Sequence, residues 1–194
     1  MIIALTGAGV SKASGIPTFD ELGDVRQKLD RSFADSHKEE FQEVMRQLTE
    51  ACQKAKPNDA HLALKEYNIP IITMNIDSLH SRAGSKNVIE IHGSIQNNDV
   101  VLYGDSAPRY TDGFEWIDRL TKNDILLIIG TSFYTNISKE YKLTAEQNGV
   151  NVVVINENAE HEVRKFLENH QDFLEDFDSF LDRIPIWALN YYRY

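Results

Sequence analysis

The chain has 194 residues, of which 42% are hydrophobic and 26% charged, a composition typical of a globular domain that buries a core. Its net charge of −10 argues against a nucleic-acid-binding surface, since phosphate backbones are bound by clustered Lys and Arg. The single cysteine, Cys52, excludes an intramolecular disulfide and a zinc site made of several thiolates. No apolar run is long enough for a secretion signal or a membrane span. We therefore expect one domain over residues 1–194, in the cytoplasm, with neither nucleic acid nor membrane as a partner.

The first segment, MIIALTGAGVSKASGIPTFD, predicts a strand, a glycine turn and a short helix. Ile2 to Leu5 form an apolar run of strand length, and Gly7 and Gly9 allow the backbone to turn and to approach a ligand closely. A helix begins near Ser11 and ends at Gly15. Such a junction presents backbone N–H groups to an anion, usually a phosphate. By itself this pattern supports phosphate binding and an ordinary tight turn about equally.

Two helices are predicted between the first strand and the second. Apolar residues at helical spacing indicate an amphipathic helix over about 33–54, which makes Cys52 a buried structural thiol. Before it, residues 21–36 are expected to form a loop or short helices. Asn58 or Asp59 caps the next helix, and His61 at its start is assigned a structural or capping role rather than a catalytic one.

Polar residues follow the next two predicted strands. Ile69 to Met74 form a buried strand that ends at Asn75 and Asp77, where two side chains of an extended backbone share one face. Asp77 is also placed to cap the short helix after it. Val88 to Ile91 form a third strand that ends at His92, which serves either as a general base near neutral pH or as part of a turn.

The remaining elements continue the alternation of strands and helices. Because ligands bind at the carboxyl ends of parallel strands, the polar strand ends are expected to meet at one edge of the sheet. The pattern predicts an α/β fold with a parallel sheet and helices on both faces. The other predicted elements are strands at Val100–Tyr103, Asp124–Gly130 and Asn151–Ile155, helices at Asp112–Lys122 and Ser138–Asn148, and one or two helices in the tail from Ala159 to Tyr194.

Seven motifs, spread in order over most of residues 1–156, resemble those of the sirtuins, the NAD-dependent protein deacylases. They are GAGVSKASGIPTF, PNDAHLAL, TMNIDSLHSRAG, EIHGS, DVVLYGD, IIGTSF and VVVIN. The resemblance implies a Rossmann-like, doubly wound parallel sheet and NAD as a co-substrate. It also implies an acyl-lysine peptide or protein as the second substrate.

The resemblance implies three sets of site residues. The cofactor-binding set is Gly7, Ala8, Gly9, Ser11, Gly15, Ile16, Phe19, Asn75, Ile76, Asp77, Gly130, Thr131, Ser132 and Asn156. The catalytic set is His92, the general base that takes a proton from the ribose hydroxyl, with Asn75 and Asp77, which hold the ribose and nicotinamide end. The substrate-binding set is Val100, Val101, Leu102, Tyr103 and Gly104, which would pair with an extended acyl-lysine peptide by β-augmentation.

Two departures from the sirtuin pattern are visible in the sequence. The four-cysteine zinc module is missing, and only Ile95 to Asp99 fill its place, so the small domain is reduced and zinc-free. What remains of that domain is a helical insertion over about 20–56. The second departure is Asp20, which stands where the family usually has Arg, and an acid there repels phosphate.

Three functions remain open at this stage, with lysine deacylation ranked first. The alternatives are an NAD glycohydrolase or ADP-ribosyltransferase of the same fold, and a non-catalytic NAD-binding protein. The complete set of Asn75, Asp77 and His92 argues against a non-catalytic protein. His92 and the motif DVVLYGD favour deacylation, whereas Asp20 and the missing module favour the glycohydrolase.

Overall fold

The structure is a computed structural model that describes residues 1–18, 21, 23–133, 136–186 and 188. A parallel sheet of five strands, in the order β3-β2-β1-β4-β5, runs through its centre. The sequence predicted all five, and β5 has the predicted bounds. The strands are β1 Ile2–Thr6, β2 Ile71–Thr73, β3 Val88–Glu90, β4 Ile125–Ile129 and β5 Asn151–Ile155.

Helices connect the strands and follow the last one. The turn after β1 leads into a 3-10 helix, Ala8–Ser14, where the sequence suggested the start of an ordinary helix. A second 3-10 helix covers Gln171–Phe173. The α-helices are α1 Val25–Lys28, α2 Arg31–Ser36, α3 Lys38–Lys54, α4 Asp59–Glu66, α5 Leu79–Ala83, α6 Tyr110–Arg119, α7 Asn136–Gln147, α8 Ala159–Asn169 and α9 Phe177–Leu181.

Alternate residues of β1 pack on opposite faces of the sheet, because successive side chains of a strand point in opposite directions. Ile2 and Ala4 belong to a core cluster that includes residues of α4 and α8. Ile3 and Leu5 belong to a second cluster, which includes residues of α6, α7 and α9. The predicted doubly wound α/β architecture with helices on both faces is therefore confirmed.

A third, smaller cluster joins the helices α1 to α3 to a segment far away in the sequence. Leu29, Ala34 and Val44 pack with Leu102, which lies after β3. This contact brings the helical insertion against the segment 100–104 at one side of the sheet edge.

Two predicted elements differ from the structure. The helix expected over about 33–54 is divided, because His37 leaves the helical conformation (φ −129°, ψ 56°) and Asp30 caps a separate α2 through the Ser32 N–H. The strand expected at Val100–Tyr103 is wrong: a single bridge between Asp30 and Tyr103 replaces a ladder. Within the described ranges, no helix has both the length and the apolarity needed to cross a membrane.

Candidate functional site

A cleft of about 640 Å³ lies at the carboxyl ends of β1, β2, β4 and β5. This edge includes the boundary between β1 and β4, where the strand order reverses and where open α/β sheets bind ligands. The cleft collects most of the residues that the sequence proposed for the site. Those lining it are Gly7, Ala8, Gly9, Asn75, Ile76, His92, Val100, Val101, Leu102, Tyr103, Gly104, Gly130, Thr131, Ser132 and Asn156.

The glycine turn after β1 packs directly against the loop after β4. The Gly7 N–H donates to the Ile129 carbonyl at 2.9 Å, and the Gly9 N–H donates to the Gly130 carbonyl at 2.8 Å. A Cβ on Gly9 would lie 2.7 Å from the Gly130 Cα, and one on Gly130 would lie 2.2 Å from the Val10 nitrogen. These glycines therefore permit a close contact between two loops, a role that the sequence did not indicate.

Asn75 and Asp77 converge on the hydroxyl of Ser11, as their spacing suggested. Ser11 Oγ donates to Asp77 Oδ2 at 2.7 Å and accepts from Asn75 Nδ2 at 3.1 Å, and Asn75 Nδ2 also lies 3.2 Å from Asp77 Oδ2. Burial raises the pKa of Asp77, against the effect of these hydrogen bonds. Its other oxygen accepts the N–H of Leu79, the first residue of α5, at 2.9 Å, although the N-cap residue of that helix is Ser78. Asp77 thus contacts both the start of α5 and the residues beneath the site.

Two buried histidines stand behind Ser11. His61 Nδ1 accepts the Asn58 N–H at 3.3 Å in a capping box at the start of α4, which confirms its capping role. Its Nε2 lies 3.5 Å from Ser11 Oγ. The ring of His80 lies 4.7 Å from that of His61, and its Nε2 is 2.9 Å from Thr6 Oγ1. Desolvation lowers the pKa of both rings, to about 4 for His61, so both are neutral near pH 7.

His92 follows β3 and is half-buried in the cleft wall. Burial lowers its pKa below the ordinary value, which keeps the imidazole neutral and able to accept a proton near pH 7. The chain then closes a tight turn in which the Ser94 N–H donates to Asp99 Oδ1 at 2.7 Å. Gly93 has a φ of +66°, and a Cβ there would lie 2.0 Å from the Asp99 carbonyl oxygen. This short turn occupies the place where the sirtuin pattern inserts its four-cysteine module.

The segment 100–104 lines the cleft without forming a strand. Val101 N–H donates to the His92 carbonyl at 2.8 Å, while Tyr103 N–H donates to the Leu29 carbonyl at 2.9 Å. Leu102 N–H is held by Asp105 Oδ2 at 3.2 Å. Because consecutive N–H groups bond to three different partners, no regular ladder forms, which explains why the predicted strand is absent.

The loops after β4 and β5 are joined by a side chain. Asn156 Oδ1 accepts the Thr131 N–H at 3.1 Å, across the end of the sheet. Thr131 is buried, whereas Ser132 and Asn156 are exposed at the cleft.

Several proposed residues lie outside the cleft, and several lining residues were not proposed. Ser11 and Asp77 are buried below its floor, Gly15 ends the 3-10 helix, and Ile16 is partly exposed beside it. Phe19 and Asp20 lie outside the described residues.

Lining residues that the sequence analysis missed are Lys12, Thr18, Arg26, Leu29, Met74, Asp105, Ala107, Asn136 and Ile137. Lys12 and Thr18 stand inside the first motif, which was the signal available for them.

Among the described residues, no three His, Cys, Asp or Glu side chains are grouped so as to hold a metal ion. Cys52 is buried, and burial raises the pKa of its thiol to about 12, which makes it a structural residue.

Comparisons with known proteins agree with this geometry. A profile described as the Sir2 family matches residues 7–99. An NAD-dependent protein deacetylase of Bacillus cereus is 30% identical over 80% of this chain and 81% of its own length. An NAD-dependent protein deacylase of Aggregatibacter actinomycetemcomitans is 32% identical over 67% of this chain and 80% of its own.

Solved structures extend the similarity to the fold. A crystal structure of Sir2 in complex with the inhibitor EX-527, 2'-O-acetyl-ADP-ribose and deacetylated p53 peptide superposes with a TM-score of 0.75 and 26% identity. The superposition covers 88% of this chain and 94% of that one. Because the Bacillus cereus relative is 30% identical and is matched along about four fifths of both chains, the protein belongs to the Sir2 family, the sirtuins.

Proposed function

We propose that the protein is an NAD-dependent protein lysine deacylase, which consumes NAD and releases nicotinamide, with His92 as the general base. One observation supports the proposal most directly. The half-buried, neutral imidazole of His92 lies in the same cleft as the polar strand ends, which suit a dinucleotide, and as residues 100–104, which suit a peptide. The relatives named as NAD-dependent protein deacetylases support the same activity.

The cleft fits NAD in size and chemistry. Its volume of about 640 Å³ lies within the range of roughly 300–1,000 Å³ that is usual for small-molecule sites. Hydroxyl and amide groups of Thr131, Ser132 and Asn156 stand at one end, and Asn75 and His92 line the other. This spread of polar groups suits the adenosine half at the β4 and β5 side and the nicotinamide ribose at the β2 and β3 side.

When bound, NAD would supply a ribosyl carbon for attack by the acyl oxygen, with nicotinamide leaving with the electron pair of its C–N bond. His92 accepts the proton of a ribose hydroxyl on a ring nitrogen, which is unprotonated because burial lowers its pKa. Met74, Ile76 and Leu102 add apolar surface to the cleft lining, which would reduce access of water to the reacting carbon once both substrates are bound.

Asn75 and Asp77 divide the work of holding the ribose and nicotinamide end. Asn75 lines the cleft, and its side-chain nitrogen is fixed from below by Ser11 and Asp77. Asp77 therefore orients Asn75 from beneath the floor. Fixing one amide in this way reduces the conformational entropy lost when the ligand binds.

The peptide is proposed to lie along residues 100–104. The N–H groups of Val101, Leu102 and Tyr103 already donate within the protein. Among the described residues, nothing donates to the carbonyl oxygens of Val100 and Val101, so these oxygens are available to a peptide N–H. We propose that the acyl-lysine peptide adds to this edge through those oxygens.

Nicotinamide release from NAD, measured with and without an acetyl-lysine peptide, tests the proposal. We expect release that depends on the peptide and that His92→Ala abolishes. His161→Ala is a matched control, since that side chain is 79% exposed on α8 and does not line the cleft. Peptide-independent release would instead establish an NAD glycohydrolase, and NAD binding without release would establish a non-catalytic NAD-binding protein.

A further inference from the structure

The glycine turn offers fewer N–H groups to a phosphate than its sequence suggests. Gly7 N–H donates to the Ile129 carbonyl, Gly9 N–H to the Gly130 carbonyl, and Val10 N–H to the Gly7 carbonyl at 3.1 Å. Among the described residues, nothing accepts the N–H of Ala8, which lines the cleft. A dinucleotide at this turn carries two negatively charged phosphates, and a cationic side chain would stabilise this charge more than one backbone N–H does.

Among the described residues that line the cleft, the permanent cations are Lys12 and Arg26. Arg26 lies on α1, with its guanidinium carbon 5.4 Å from the ring centroid of Tyr103, which places it beside the proposed peptide segment. Lys12 lies three residues after Gly9, on the 3-10 helix that follows the turn. Lys12 is therefore the cation nearest in the chain to the turn where the phosphates are expected.

The ammonium group of Lys12 is paired with a carboxylate at the mouth of the cleft. Its Nζ lies 2.7 Å from Glu21 Oε1. The second oxygen of Glu21 accepts the N–H and the hydroxyl of Thr18, at 2.9 and 3.1 Å, and Thr18 itself lines the cleft. These contacts lower the pKa of Glu21 to about 2, so the carboxylate is charged at any physiological pH. The ion pair is exposed, with 64% and 42% of the two side chains accessible.

We propose that Lys12 binds the cofactor phosphates and that Glu21 competes for the same ammonium group, so that the Lys12–Glu21 ion pair breaks when NAD binds. This inference rests on the proposed NAD site and adds a binding residue and an internal competitor to it. An exposed ion pair is weak, so breaking it should weaken NAD binding by no more than about fivefold. A charge-assisted bond to phosphate is stronger, so its loss should weaken binding by about tenfold.

Binding constants measured by calorimetry for three ligands test the proposal. The ligands are NAD, ADP-ribose and adenosine, of which adenosine has no phosphate. We expect Lys12→Met to weaken NAD and ADP-ribose by about tenfold, to flatten their salt dependence, and to leave adenosine unchanged. Glu21→Gln should tighten NAD and ADP-ribose by up to about fivefold, because it releases Lys12.

Lys54→Met is the matched control. Lys54 is the last residue of α3, is 81% exposed, and its Nζ lies 3.9 Å from a carboxylate oxygen of Glu50. It does not line the cleft, so Lys54→Met changes the net charge by the same amount as Lys12→Met without altering the site. We expect no change in the binding of any of the three ligands.

The sign of the Glu21→Gln effect separates a competitor from a structural contact. If Glu21→Gln weakens NAD binding as Lys12→Met does, the ion pair merely holds the loop in place and the proposal is overturned. An unchanged affinity of Lys12→Met for ADP-ribose, or an equal loss for adenosine, overturns it as well. If the unaltered protein binds neither NAD nor ADP-ribose, the proposed function itself fails, which is a result distinct from binding that ignores Lys12.

Discussion

Mild acid should destabilise this protein through His61. The ring is fully buried, and its Nδ1 accepts the Asn58 N–H, a contact that protonation of Nδ1 would break. Desolvation lowers the pKa of His61 from 6.5 to about 4 in the folded protein. Between these two values the unfolded chain binds more protons than the folded one, so the free energy of unfolding falls as the pH falls.

The two pKa values give the size of this effect. Between about pH 7.5 and about pH 5, His61 should remove about 2 kcal/mol from the free energy of unfolding. His80, whose pKa is also lowered by burial, contributes with the same sign. Burial raises the pKa of Asp77, so this carboxyl contributes with the opposite sign. A variant that alters only His61 separates the contribution of His61, together with its coupling to His80, from that of Asp77.

Urea unfolding followed by tryptophan fluorescence, at both pH values, measures this share. His61→Asn keeps an acceptor for the Asn58 N–H and removes the titrating group. On going from about pH 7.5 to about pH 5, the free energy of unfolding of this variant should therefore fall by about 2 kcal/mol less than that of the unaltered protein. Both proteins retain Asp77, whose contribution cancels in the comparison. His61 also helps to lower the pKa of His80, so the difference includes that coupling, which has the same sign as the His61 effect. If the two proteins lose the same free energy, to within about 0.5 kcal/mol, the explanation through His61 is refuted.

Two further predictions concern the cleft. Because burial lowers the pKa of His92, the acidic limb of kcat/KM should lie below pH 6.5, and a limb above that value in a pH–rate profile would contradict a buried neutral base. Gly130→Ala should destabilise the protein by about 1–3 kcal/mol, since the residue has a φ of +61° and its Cβ would lie 2.2 Å from the Val10 nitrogen. Thermal unfolding checks this, with Gly15→Ala as the control: it also has a positive φ, but no atom lies within 4 Å of its added Cβ.

Local patterns in the sequence identified most of the fold. The apolar, β-branched run at 151–155 predicted β5 with its observed bounds, because strand preference depends on consecutive residues. A cap at Asn58 or Asp59 was predicted, and Asn58 fills it, because that role depends on the residue's own side chain and the next turn of backbone. Asn75 and Asp77 were assigned together from their spacing, and both contact Ser11.

Contacts between distant segments were beyond the reach of local patterns. Val100–Tyr103 has the composition of a strand, yet its N–H groups bond to His92, Leu29 and Asp105, partners that no periodicity in the segment reveals. A long-range contact also holds α2, the helix that ends before His37: the Arg31 N–H at its start donates to the Tyr103 carbonyl at 2.9 Å.

The sequence by itself determined the five strands of the sheet, most helices and the residue types at the strand ends, since each depends on neighbours a few positions away. Only the tertiary structure decided which of these strand ends contact one another. The strand order places β4 beside β1, so the Gly130 carbonyl accepts the N–H of Gly9, and the loops after these two strands line one cleft. That outcome depends on which strands are neighbours in the sheet, and no pattern along the chain specifies it.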